Sequence, residues 1–428
     1  MKKLFFITFI LLFAATLFAQ TAPVVEPVEN TTLSLDEALT LALKKNVSIK
    51  REEISLGAAE RASAHSWNSL LPSVSISAND EIEFPNINNF GVEGKVSLSL
   101  SSDFIASMKK AKLDYEAKKI SFDEAILEIT ATVKESYFSL LLAKQNLDFF
   151  KENLESAKVQ AEQNEERYRR GTLSEMEYLS SKLSYEKLKP ELKAQELSYQ
   201  KELKTFCLFL GLDDEAVILN GSLEDFIAQY AVLFDDAKKT AISEAVKNGN
   251  IPSILNLKKQ LEAALKDISV TRLASYGPSA NLSYSINPVI NGSEKTQIKQ
   301  SASIGISLPL ENLLPFSKGA DSIQTAKDSV NDLQLQLTEK SKCADAEYSH
   351  IIQSLSQKEE SLESLKNFVN LAQKNYEATK FAYSKGMTEF LSMQNASKEN
   401  LEAKMNLQNE LLETLKLYIS LEKLYGGK

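Results

Sequence analysis

The side chains best suited to chemistry are few and far apart. The two histidines, His65 and His350, and the two cysteines, Cys207 and Cys343, lie at distances along the chain that match no ligand motif. A zinc site needs closely spaced His and Cys pairs. Nucleophilic catalysis needs a Ser/His/Asp or Cys/His set, and a phosphate cradle needs a glycine loop. None is readable, so the sequence predicts no enzyme, no cofactor and no metal. Two cysteines are also too few for a disulfide framework in an exported chain.

What does recur is a hydrogen-bonding motif. A tyrosine stands three residues before a glycine twice, in Tyr168-Arg169-Arg170-Gly171 and in Tyr383-Ser384-Lys385-Gly386. Each glycine is followed by a Thr/Ser, acidic and leucine-rich start, Thr172-Leu173-Ser174-Glu175-Met176-Glu177 and Met387-Thr388-Glu389-Phe390-Leu391. A helix that stops at glycine and restarts after hydroxyl and acidic residues is a helical hairpin with a tight tip.

The elements that must position these tips are written twice. Each half reads helix, helix, strand, strand, long helix, long helix, and matching landmarks come in the same order. Ala42-Leu43-Lys44-Lys45-Asn46 answers to Ala245-Val246-Lys247-Asn248-Gly249-Asn250, and Pro72-Ser73 to Pro278-Ser279. Ser97-Leu98-Ser99-Leu100 answers to Ser307-Leu308-Pro309-Leu310. The expected organisation is therefore a leader over 1–19, a strap over 20–32, a first repeat over 33–210, a less periodic linker over 211–236 and a second repeat over 237–428. The fold class expected is α+β, dominated by long coiled-coil hairpins, with four strands per copy.

Those strands alternate with period two. Val74, Ile76, Val96, Leu98, Leu282, Tyr284, Ile304 and Ile306 fall on one face, and serines, Asn281 and Gly305 on the other. Hairpins lying over a soluble core would give this pattern too. A membrane barrel is favoured because the neighbouring helices already carry their own apolar seams. Each strand also reaches the ~9–11 residues that a tilted spanning strand needs. The eight apolar residues would then face lipid and the serines a wet lumen. Trp67, Phe84, Phe90, Phe104, Tyr276 and Phe316 sit near strand ends, where interfacial aromatics belong. Four strands cannot close a barrel, for which roughly eight is the smallest useful number. Copies must pool strands, eight in a dimer or twelve in a cyclic trimer.

Residues 103–170 contain no proline or glycine before the tip, and apolar residues run at heptad spacing through Ile129, Val133, Leu140, Leu147, Ala157, Ala161 and Tyr168. The same spacing runs through Ala344, Ile351, Leu355, Leu362, Ala372 and Tyr383. This is the signature of coiled-coil packing. Pro190 stands inside the first returning helix, where it removes a backbone bond and should kink the chain. At the N-terminus, Lys2 and Lys3 precede an apolar run ending at Leu17-Phe18-Ala19, the pattern of a cleaved export leader. The formal charge of −9 argues against nucleic acid as a partner.

Taken together, these landmarks resemble the TolC-type outer membrane efflux protein family from Leu33 to Gly427. The paired tips and the ending Leu424-Tyr425-Gly426-Gly427 are the most specific elements. The resemblance implies a homotrimer whose twelve strands form one barrel in outer-membrane lipid, continued by a twelve-helix periplasmic tunnel. It further implies a periplasmic adaptor protein and an inner-membrane transporter as partners. The chain itself would be a passive exit duct for small molecules or polypeptide. Tyr383 and Glu177 take the positions that link a closed tip, and a phenol donating to a carboxylate is a charge-assisted bond suited to a latch. Arg169, Arg170, Gly171, Lys385 and Gly386 become the adaptor contacts. Many members carry two acids six and nine positions after the second tip glycine. Here those positions are Ser392 and Asn395, which puts a cation-binding constriction in doubt, with Glu389 as the nearby substitute. The competing expectation is a periplasmic coiled-coil spacer without transport.

Overall fold

In the computed structural model the described residues are 32–83, 86–212, 217–291 and 297–426, with the side chains of 79–91 and 289–297 also left aside. The expected leader, all but the last residue of the strap, Phe84 and the side chain of Phe90 lie outside the described residues.

Short capped helices open each half. β1 (Thr32–Leu33) leads into α1 (Leu35–Lys45), which starts on a capping box. Ser34 Oγ accepts from the Glu37 amide, and the Glu37 carboxylate accepts from the Ser34 amide at 2.9 Å. The next helix, α2 (Val47–Ala64), begins at Asn46. That asparagine also donates to the Phe209 carbonyl at 2.8 Å, fixing the corner against the far end of the first hairpin. After a 3-10 turn come β2 (Ser73–Glu83) and β3 (Asn86–Ser101), then α3 (Phe104–Arg169) and α4 (Glu175–Leu210).

The second half repeats the order. β4 (Ile218–Leu219) and α5 (Leu223–Leu233) precede α6 (Asp236–Lys247) and α7 (Pro252–Tyr276). Then follow β5 (Ser279–Asn291), β6 (Gln297–Ser307), α8 (Lys318–Ser384) and α9 (Phe390–Tyr425). The 66 residues of α3 and 67 of α8 make rods of about 100 Å at ~1.5 Å per residue. α4 continues without a break from Glu175 to Leu210 across Pro190.

Residues 217–236, expected to be linker, hold both β4 and the 11-residue helix α5. The helix hides from periodicity because it is apolar on two sides. Leu223 and Tyr230 are buried, while Val232 and Leu233 are exposed. β4 pairs in parallel with β1, Thr32 against Ile218 and Leu33 against Leu219.

The core sits at this level, where α1, α3, α4, α5 and α9 meet. Tyr137, Phe138, Phe206, Tyr230, Phe234 and Tyr418 are all buried, and Tyr137 meets Phe138, Phe206 and Phe226 edge-on. The Tyr137 oxygen lies 2.9 Å from the Leu33 carbonyl and 2.6 Å from the Asn220 carbonyl, and accepts from the Asn220 amide at 3.1 Å. One phenol thus pins both short strands to the long helix. Beside it Lys134 and Glu422 form a half-buried ion pair at 2.6 Å. Burial, reinforced by the Glu422 charge, holds the neighbouring Tyr230 phenol far above its ordinary range.

The four longer strands form one antiparallel sheet in the order β2-β3-β5-β6. Its centre is the pairing of β3 with β5, so the sheet joins the two repeats. Neither β2 nor β6 has a second neighbour in the sheet.

Candidate channel wall and helical tip

Register decides what each face of the sheet carries. One row across it reads Val74, Val96, Tyr284 and Ala302. The rows beside it on the same face contain Leu98, Leu282 and Ile304, and Leu100, Ala280 and Ile306. Nothing in the chain covers this face among the described residues. Ile76, Ile304 and Ile306 are 80%, 81% and 79% exposed. Val74, Val96, Leu282 and Tyr284 are exposed too, and Leu98 is half-buried between them. A water-facing sheet does not present such a continuous apolar surface.

The opposite face is built of small hydroxyls. Oγ–Oγ hydrogen bonds join Ser73 to Ser97, Ser279 to Ser307 and Ser283 to Ser303 at 2.7 Å, and Ser285 to Ser301 at 2.8 Å. Each rung satisfies its polar groups across strands while leaving the surface flat and hydrated. Trp67 and Phe316, from the strand-end aromatics, are 46% and 84% exposed at the helix-side border of the sheet.

At the far end of the rods the two tips share one geometry. Gly171 and Gly386 both take φ +73°, which the Cβ of other residues disfavours. The Gly171 amide donates to the Tyr168 carbonyl, and the Thr172 amide to the Arg167 carbonyl. In the second copy Gly386 donates to Tyr383, and Met387 to Ala382. These are paired Schellman caps. The Tyr-x-x-Gly spacing therefore reflects, in part, the carbonyl that receives the glycine amide. Returning helix α4 is capped by Ser174, whose Oγ accepts from the Glu177 amide.

The tyrosines themselves diverge. Tyr168 is 37% exposed and stacks on Tyr178 at 5.1 Å, whereas Tyr383 is 3% exposed. Tyr383 sits edge-on to Phe390 and beneath the Arg167 guanidinium, 5.5 Å away. Its hydroxyl donates to Asn164 Oδ1 at 3.0 Å. The bond to Glu177 implied by the resemblance is thus not the one this protomer makes. Glu177 is half-exposed in the first turn of α4, while Asn164 lies at the bottom of the seam that the phenol enters. Burial chiefly, with the Glu177 charge adding to it, moves the Tyr383 phenol above its ordinary range.

The remaining predicted residues scatter around this contact. Glu389 is the exposed N-cap of α9, and Ser392 is exposed one turn on. Asn395 lines a cleft of about 690 Å³ between α4 and α9, floored by Phe150 and Tyr376. Arg169 and Arg170 project into solvent but pair along their own helix with Glu165 and Glu166, and Lys385 lies over the Phe381 ring. Asn164 was missed from sequence. The available signal was a polar residue in a seam slot, spaced from Ala161 and Tyr168 as the apolar residues are. Among the described residues, no cluster of His, Cys, Asp or Glu is arranged to hold a metal, and no helix is long and apolar enough to cross a membrane.

Comparison with known proteins follows the same lines. Residues 38–211 match the family described as "Outer membrane efflux protein". No curated protein matches the sequence significantly. Among solved structures, the Campylobacter jejuni CmeC outer membrane channel superposes with a TM-score of 0.73 at 17% identity, covering 95% of this chain and 90% of that one. The outer-membrane channel OprN gives 0.72 at 17% identity over 92% and 90% of the two chains. The Vibrio cholerae outer membrane protein VceC gives 0.70 at 15% over 92% and 96%. The resemblance read from sequence holds: the first repeat matches the outer membrane efflux proteins, and the chain carries the α+β fold of these outer-membrane channels along most of its length.

Proposed function

We propose that this chain is the outer-membrane exit duct of an efflux or secretion system. It passes small molecules or polypeptide outward while other proteins supply the energy. The observation that carries the reading is the sheet: one face apolar and uncovered, the other lined by serine rungs, with both outer strands unpaired on one side. Open strand edges in lipid cost several kcal/mol for each unpaired group. Identical copies relieve that cost by pairing β6 of one with β2 of the next, and three copies give a twelve-stranded barrel. The long hairpins then continue the barrel into the periplasm as a tunnel.

In this reading the tips of α3–α4 and α8–α9 form the far gate. Arg169, Arg170, Gly171, Lys385 and Gly386 make the surface met by a periplasmic adaptor, which couples the duct to an inner-membrane transporter. Ser392 and Asn395 leave the constriction without a ring of acids, so the duct should show no block by multivalent cations there. The leader over 1–19 would send the chain out of the cytoplasm. A spacer without transport has no use for the uncovered apolar face. The deciding experiment extracts the protein from membranes, tests for heat-sensitive trimers, and reconstitutes them in planar bilayers. Discrete conductance supports the duct; a lipid-indifferent monomer refutes it.

A further inference from the structure

Asn164 is 0% exposed, on α3 just above the tip. Its Oδ1 accepts two hydrogen bonds, from the Tyr383 hydroxyl across on α8 and from Gln160 Nε2 on its own helix, both at 3.0 Å. Its Nδ2, equally buried, has no partner. Buried amides normally have every group satisfied, so an idle donor is a feature that needs a reason.

The contact it makes joins the two hairpins at their ends. Other bonds between the hairpins lie farther from the tips, such as Ser156 with Tyr376 at 3.0 Å and Gln394 with Ser184 at 2.8 Å. Near the tips the Tyr383–Asn164 bond is the one closed off from water, where competition from solvent is weakest. The phenol stays protonated because burial holds it above its ordinary range, so its donor is intact at all physiological pH values.

We propose that Asn164 is the positioning residue of the gate: it holds Tyr383 and hence α8 against α3 in the resting tip, while its unpaired Nδ2 leaves that state poised to rearrange. The inference rests on the duct reading and gives its gate a residue that the tip motif does not contain. Two effects oppose each other at a single amide. The Tyr383 bond favours the resting arrangement, and the idle donor favours any arrangement that brings an acceptor, of which the half-exposed Glu177 carboxylate is the nearest candidate in the chain's own tip.

The test uses full-length trimers in planar bilayers. Asn164→Leu and Tyr383→Phe should each raise open occupancy several-fold at normal trimer yield. The double variant should exceed the larger single by little, because both remove one bond. Asn164→Asp keeps the acceptor and removes the idle donor, so it should lower occupancy below wild type. That opposite sign separates positioning from mere loss of packing, and it decides the matter if Asn164→Leu fails to assemble. Wild-type conductance from assembled Asn164→Leu, or additive single effects, would overturn the proposal, as would an opened gate in Asn164→Asp. Wild-type trimers that pass no current at any voltage would instead overturn the duct reading, and this inference with it.

Discussion

Replacing Ile304 by arginine probes the facing of the sheet, with Ser303→Arg as its control. The two residues are adjacent on β6, so depth, strand position and the added side chain are nearly the same, and only the face differs. Ile304 is 81% exposed in the row with Leu98 and Leu282, while Ser303 hydrogen-bonds Ser283 at 2.7 Å on the other face. β6 has 11 residues, so at ~3.4 Å per residue and a tilt near ~45° it rises about 26 Å, close to the ~25 Å apolar band of an outer-membrane barrel. An arginine on the lipid face near mid-depth costs about 2–4 kcal/mol per strand. Three copies would multiply that to roughly 6–12 kcal/mol per trimer, comparable with the whole stability of an ordinary domain. Ser303→Arg loses one serine rung, about 0.5–1.5 kcal/mol, and its new charge stays in water. The assay is the fraction of heat-sensitive trimer in membrane extracts at matched expression. Ile304→Arg should abolish most of it and Ser303→Arg should retain most of it. Equal losses would refute the assigned facing.

Other consequences can be measured on the same particle. Tyr137→Phe strips the phenol that bonds Leu33 and Asn220, leaving buried backbone groups unpaired, and should cost about 1–3 kcal/mol in heat dissociation without changing conductance. Gly211→Ala should be worse tolerated than Gly386→Ala. Both glycines have positive φ, costing roughly 1–2 kcal/mol in any other residue. At Gly211 an added Cβ also falls 2.8 Å from the Lys45 Cβ, whereas at Gly386 it meets open space, so thermal shifts should rank them in that order. Burial works against an ionised Glu410, but the Lys358 ammonium at 2.8 Å and the Ser361 hydroxyl outweigh it and hold the carboxyl below its usual range. Its contribution is therefore full above the ordinary carboxylate range and lost as pH falls through the lowered folded value. Melting curves at neutral and acid pH should show a smaller acid loss for Lys358→Met than for wild type.

How much of this was legible in the sequence follows from the range of each interaction. Period-two strands and heptad seams are local patterns repeated many times, so they could be read in advance. Ile304, Ile306, Ile129, Val133, Leu355 and Leu362 all lie on the faces their spacing predicts. The tip caps were legible because a Schellman turn is written in five or six consecutive residues. What could not be read was pairing across the fold. That Tyr383 reaches Asn164 depends on how two rods lie side by side, and the motif itself contains no asparagine. The equivalent tyrosines part company for the same reason: Tyr168 meets Tyr178 of its own hairpin, while Tyr383 enters the seam of the other. α5 was hidden because apolar residues on two faces blur the helical period, and its inward face becomes evident only against α9 and α3. Pro190 shows the opposite error. A proline costs a helix one backbone bond, but a long helix held along its length by α3 can absorb that loss and continue.

The central claim is that identical copies complete one another's sheet within lipid, and the mass of the particle released from membranes by mild detergent tests it most directly. The account predicts a single species of three chains that falls to one chain on heating. A stable one-chain particle, unchanged when detergent is withdrawn, would contradict it.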